Sequence, residues 1–149
     1  MKQTITVFTD GGARGNPGPS ACGIAITGIA GKERLLCGKY LGLTTNNVAE
    51  YSAFLLAYEI LLSQESIIPE ETKIEFFADS LLAVKQLNGE YRIKNPNLAQ
   101  FINQIKNQEK LFAKVTYQHV RRELNKDADL EVNKILDLET GRRKSNFRN

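Results

Sequence analysis

Thr4-Ile5-Thr6-Val7-Phe8-Thr9-Asp10-Gly11-Gly12 is a run of β-branched and aromatic residues that stops at an acid and two glycines. Such a run reads as a strand closed by turn-forming residues. The strand is expected over 4–10, with Asp10 at its carboxyl end. A loop rich in glycine and proline follows, Ala13-Arg14-Gly15-Asn16-Pro17-Gly18-Pro19. Residues 21–28 and 33–43 read as two more strands, joined by a turn through Gly28 to Gly31. The first three strands therefore form an antiparallel meander.

Beyond the meander the period changes. Asn47 and Glu50 have the spacing of a capping box, which opens a helix with Asn47 as its cap and Asn46 pointing outward. From Tyr51 to Leu62 this helix is apolar almost all round, so it is expected to be deeply buried. After a linker over 63–72, residues 73–79 alternate, with Ile74, Phe76 and Ala78 on one face, and read as a strand. A short helix from Ser80 to Leu87 stops at Asn88-Gly89, and Pro96 starts another that runs to about Lys110. Residues 112–120 read as the fifth strand and 126–138 as the last helix. The order β-β-β-α-β-α-α-β-α predicts an α/β fold. Its mixed five-stranded sheet has three antiparallel strands first, then strands joined in parallel through right-handed crossovers, with helices on the faces.

The chain has 149 residues, 42% hydrophobic and 25% charged, which suits one domain with one core. That domain is expected over 1–139, with 140–149 as a basic tail carrying Arg142, Arg143, Lys144 and Arg148, read equally as a solvated flexible end and as an arm that contacts an acidic partner. The formal charge of +3 permits an acidic partner such as nucleic acid without requiring one. No apolar run reaches membrane-spanning length and no secretory leader precedes the first strand, so a reducing cytoplasm is expected. Nothing in the pattern demands a protein partner, and a monomer is expected. Cys22 and Cys37 sit on strands that can face each other across a hairpin; the reading preferred is two small buried residues over a disulfide.

Four acids stand out by position: Asp10, Glu50, Asp79 and Asp129. Each has an ordinary explanation taken singly. Asp10 suits a turn, Glu50 a capping box, Asp79 a helix cap, and Asp129 the positive end of the last helix. Together they are less ordinary. Asp10 and Asp79 both end strands, where α/β sheets place their active sites. Glu50 and Asp129 open helices that can abut that edge. Two like charges about 4 Å apart cost about 4 kcal/mol at an effective dielectric of about 20. Several such pairs need hard cations, and Mg²⁺ takes carboxylate oxygen. Two such ions suit phosphoryl displacement.

These residues resemble the type 1 ribonuclease H family. The resemblance lies in Thr9-Asp10-Gly11-Gly12 with Asn16-Pro17-Gly18, Thr45-Asn46-Asn47-Val48-Ala49-Glu50-Tyr51, Asp79-Ser80, and Asn125-Lys126-Asp127-Ala128-Asp129. It covers about 4 to 138 in the family's order and spacing. It implies the ribonuclease H-like sheet and an endonuclease that hydrolyses the RNA strand of an RNA–DNA hybrid, leaving 5′-phosphate and 3′-hydroxyl ends. It implies two Mg²⁺ ions, for which Mn²⁺ can substitute. Asp10 would bridge the ions, Asp129 would join it at the water-activating one, and Glu50 and Asp79 would hold the other. Glu50 would also sense a ribose 2′-hydroxyl. Asn16, Asn46 and Asn47 would read the minor groove and Thr45 would grip a DNA phosphate. Ser80 and the backbone amides from Gly11 through Arg14 to Gly15 would add hydrogen bonds.

The chain departs from the family in two places. Many members carry a histidine in the loop before the last acid. Here that loop is Arg121-Arg122-Glu123-Leu124-Asn125-Lys126-Asp127, and the lone histidine, His119, falls on the preceding strand. His119 is read as packed with Val115 and Tyr117; Arg121, Arg122 or Glu123 either stands in part for the missing histidine, or the loop, through Arg121 and Arg122, contacts phosphate. Some members also carry a tryptophan-rich basic protrusion. This chain has no tryptophan and resembles the leaner branch without that handle. A non-catalytic hybrid binder and a nuclease for junctions or double-stranded RNA are the competing readings.

Overall fold

The computed structural model describes the backbone of residues 3–148 and the side chains of residues 3–141. Its strands are β1 (Gln3–Ala13), β2 (Gly18–Thr27), β3 (Leu35–Thr44), β4 (Thr72–Ala78) and β5 (Lys114–His119). Its α-helices are α1 (Asn46–Leu62), α2 (Leu81–Leu87), α3 (Pro96–Glu109) and α4 (Lys126–Arg148). The sheet order is β3-β2-β1-β4-β5. The pairs β1–β2 and β2–β3 are antiparallel, and β1–β4 and β4–β5 are parallel, as the period pattern predicts.

Alternation along the strands sorts side chains onto two faces. In β2, Cys22, Ile24 and Ile26 enter the main core, where Ile5 and Val7 of β1 and Ile74 and Phe76 of β4 meet α1. The alternate residues of β2 are small, and α4 lies across them, with Val132 and Leu136 closing on Ala21. Helix α1 brings Tyr51, Phe54, Tyr58 and Leu61 to the core at no more than 1% exposure, which bears out its expected deep burial. Phe54 and Tyr58 meet Phe76 and Tyr117 at centroid distances of 5.2–5.7 Å. The Tyr58 and Tyr117 hydroxyls hydrogen-bond at 2.7 Å, so neither polar tip is orphaned by burial.

Several local expectations are corrected. β1 continues past Asp10 to Ala13, and β2 already starts at Gly18, inside the expected loop. The cap of α1 is Thr45, not Asn47: Thr45 Oγ1 accepts from the Val48 N–H at 3.3 Å. Asn47 is already helical, and the Asn47–Glu50 capping box does not form. Asn46 does not point freely outward, because its Oδ1 accepts from the Ala13 N–H at 2.8 Å. Threonine and asparagine are both good caps, and a long-range partner for Asn46 decided the phase. α2 is capped by Ser80, whose Oγ accepts from the Ala83 N–H, so Asp79 is not its cap. His119 is exposed at the end of β5 rather than packed with Tyr117.

α4 continues as helical backbone to Arg148, past the expected end at 138. The basic side chains from residue 142 onward lie outside the described residues. Cys22 and Cys37 are both unbonded. Cys37 sits opposite Ile24 and Cys22 opposite Lys39, so the two are diagonal neighbours. That diagonal is about 7–8 Å between Cα atoms, beyond ordinary disulfide reach. Among the described residues no helix is long and apolar enough to cross a membrane.

Candidate active site

The parallel register of β1 and β4 sets the first two acids. Phe8 and Phe77 are paired and stacked, with centroids 5.1 Å apart, and Thr9–Ala78 is the last registered pair. Asp10 is the next residue of β1, and Asp79 the first residue past β4. They therefore leave the sheet side by side, on the face that carries Phe8 and Phe77.

Two glycines admit the other two acids. A Cβ on Gly11 would lie 2.2 Å from the Ala49 carbonyl and 2.5 Å from the Glu50 nitrogen. Only a residue without a side chain lets the first turn of α1 pass so near β1, and that passage delivers Glu50. Gly23, the register partner of Asp10, does the same for α4: a Cβ there would lie 2.6 Å from the Ala128 oxygen. Asp129 is the next residue along α4. Buried Asn125 locks the approach. Its Nδ2 donates to the Thr9 carbonyl at 2.8 Å, and its own carbonyl accepts from the Asp129 N–H at 3.1 Å.

All four acids line one cavity of about 350 Å³, together with Gly11, Arg14, Asn46, Arg122 and Asn133. Burial pushes the Asp10 carboxyl up to about 8, with help from the charges of Asp79 and Asp129 and a hydrogen bond to Asp129. Burial also pushes Glu50 up to about 7; a hydrogen bond from Ser80 opposes this, and the charge of Asp79 adds to it. Protons thus hold the cluster together when nothing else balances it. The only cation in salt-bridge range of Asp79 among the described residues is Arg122, at 3.9 Å. Arg122 is 87% exposed against 12% for Asp79, so the pair is weak.

Among the described residues no three acids or histidines close into a ready-made shell for an ion. The donor chemistry nevertheless fits hard cations. It is all carboxylate oxygen, crowded enough that two of the four groups hold protons well above their ordinary range.

The other predicted site residues divide. Asn16 Oδ1 accepts from the Asn46 N–H at 3.1 Å, which joins these two at the cavity rim. Ser80 reaches Glu50 from the far side. Arg14 lines the cavity, but its guanidinium is held by Asp137 at 2.6 Å. Thr45, Asn47 and Arg121 do not line it. His119 does not either, although it is paired with Ala78, next to Asp79. Asn125 entered the sequence pattern only as part of the motif before Asp129, with no role of its own, and Asn133 and Asp137 did not enter it. The i+4 and i+8 spacing of Asn133 and Asp137 from Asp129 was the available signal.

The comparisons with known proteins agree with this geometry. Residues 8–135 match a family model described as reverse transcriptase-like. Ribonuclease HI of Halobacterium salinarum is 33% identical over 135 residues, which cover 89% of this chain and 64% of that protein. A bifunctional protein of Mycobacterium tuberculosis is 30% identical over 135 residues, but the chain spans only 35% of that relative's length. The crystal structure of the Halobacterium enzyme has a TM-score of 0.81 at 31% identity, covering 90% of this chain and 98% of that one. LC11-RNase H1, solved in complex with an RNA/DNA hybrid, has a TM-score of 0.75 at 37% identity, covering 87% and 94%. The matched span runs from β1 into α4 and takes in every segment that carries one of the acids, and the chain belongs to the type 1 ribonuclease H family.

Proposed function

We propose that this protein is an endonuclease that hydrolyses the RNA strand of RNA–DNA hybrids and leaves 5′-phosphate and 3′-hydroxyl ends. The observation that carries the reading is the meeting of Asp10, Glu50, Asp79 and Asp129 at one cavity from four distant segments. Two divalent cations, Mg²⁺ or in its place Mn²⁺, would supply the Lewis acidity that in-line displacement at phosphorus needs. Asp10 and Asp129, which line the same cavity and whose like charges oppose each other, would hold one. Glu50 and Asp79 would hold the second, with Asp10 shared between the two.

The rim supplies recognition. With the Oδ1 of Asn46 taken by Ala13 N–H and that of Asn16 taken by Asn46 N–H, each amide keeps its Nδ2 as the donor end. Donors of this kind suit the acceptor edges and sugars of a minor groove, where the 2′-hydroxyl separates RNA from DNA. Exposed Arg122 is free to leave Asp79 for a phosphate. Its loop stands where many family members carry a histidine. The proposal extends to a monomer working in the cytoplasm, which suits two unbonded cysteines.

The test is cleavage of a labelled hybrid duplex across Mg²⁺ and Mn²⁺ concentrations, with DNA–DNA and RNA–RNA duplexes as controls. The expected result is cation-dependent cutting of the RNA strand of the hybrid, nearly abolished in Asp10→Asn while the fold is kept. Tight hybrid binding without cutting at any cation concentration would make the protein a binder instead.

A further inference from the structure

Asp129 is not held by the other acids alone. Asn133, one turn further along α4, donates its Nδ2 to Asp129 Oδ2 at 3.3 Å and to the Asp129 carbonyl at 3.1 Å. The other end of the same amide, Oδ1, accepts from Arg14 Nη2 at 3.4 Å. Arg14 Nη2 is in turn anchored on Asp137 Oδ1 at 2.6 Å. A guanidinium can only donate, so it selects the orientation of the Asn133 amide: the oxygen must face Arg14 and the NH₂ must face Asp129. The chain Asp137–Arg14–Asn133–Asp129 thus runs along one face of α4, from the end of β1 to the cavity.

We propose that Asn133 is a positioning residue for Asp129. By engaging Oδ2 it leaves Oδ1 as the oxygen presented to the cavity and fixes the rotamer in which it is presented. The residue type fits the task. An amide donates without bringing a positive charge into an anionic pocket, whereas a lysine at this position would compete with the cations. It also has an acceptor for Arg14 that a cationic side chain lacks. Groups that orient ligating side chains in this way are worth about 10–100-fold in metal affinity or activity.

The inference rests on the nuclease reading, but its first readout does not need turnover. Mn²⁺ binding is measured by calorimetry on the full chain, alongside thermal melting and cleavage at limiting and saturating Mg²⁺. Asn133→Ala is expected to weaken Mn²⁺ binding roughly 10-fold or more, which is the range for loss of such a partner. Its cleavage rate should fall most at limiting Mg²⁺, while the Michaelis constant for hybrid holds. Its melting temperature in chelator should hold or rise, since alanine is the better helix former. Asn133→Gln keeps both ends of the amide and should recover part of the cation affinity. An Ala variant that binds Mn²⁺ like the wild type, in an enzyme that cuts hybrid, overturns this inference and leaves the nuclease reading standing. The inference also fails if Gln is no better than Ala, or if the loss of affinity tracks a lower melting temperature. A wild type that binds no divalent cation overturns both readings.

Discussion

Asp10 and Glu50 hold their protons to about 8 and about 7 in the folded chain, against ordinary values of 3.8 and 4.5. Between about pH 4 and pH 8 the folded state therefore binds more protons than the unfolded one, and its stability falls as pH rises. Their contribution is complete below about pH 4 and is lost as pH passes through the folded values. In chelator, the melting temperature of the wild type should drop between about pH 5 and pH 9, and Asp10→Asn should drop less. Added Mg²⁺ should restore the wild type most at the alkaline end. A wild-type melting temperature that rises with pH in chelator would contradict the buried, crowded arrangement of these acids.

Elements carry the acids to the cavity, and small residues let the elements come close. Gly11→Ala would drive a methyl group into the Ala49 carbonyl. The expected cost is about 1–3 kcal/mol of stability, as for overpacking elsewhere. The loss of cleavage should exceed that implied by the unfolded fraction, because Glu50 moves with the helix. Asn125→Ala removes the donor to the Thr9 carbonyl, in a residue only 1% exposed. Leaving that buried acceptor unpaired should cost about 1–3 kcal/mol, read by urea melts. At this scale the sequence was partly legible. The Thr9-Asp10-Gly11-Gly12 and Asn125-to-Asp129 stretches marked the acids because the residue types themselves limit the chemistry. The cap of α1 was misplaced by two residues, because Thr45, Asn46 and Asn47 are all competent caps. Only Ala13, thirty-three positions away from Asn46, showed which one was free to cap. The orientation of Asn133 was illegible for the same reason, since it depends on Arg14, 119 positions away.

Over the whole molecule, periodicity was enough to predict the sheet and its strand directions, since each strand shows its period locally and crossover handedness limits the rest. Exposure at the sheet margins was not predictable in this way. His119 shares the alternation of Val115 and Tyr117, yet as the last residue of β5 it lies exposed. The main core is where global stability resides. Phe54→Ala, at 1% exposure against Phe76 and Tyr117, should cost about 3–5 kcal/mol in denaturant melts. Cleavage per folded molecule should survive in conditions where the variant stays folded. The tie between Asn125 and Thr9 also bears on synthesis. β1 is made early, yet its acid lacks its α4 neighbour until more than a hundred further residues have been added. On the ribosome the cavity therefore stays incomplete until α4 has emerged and docked against β1 and β2.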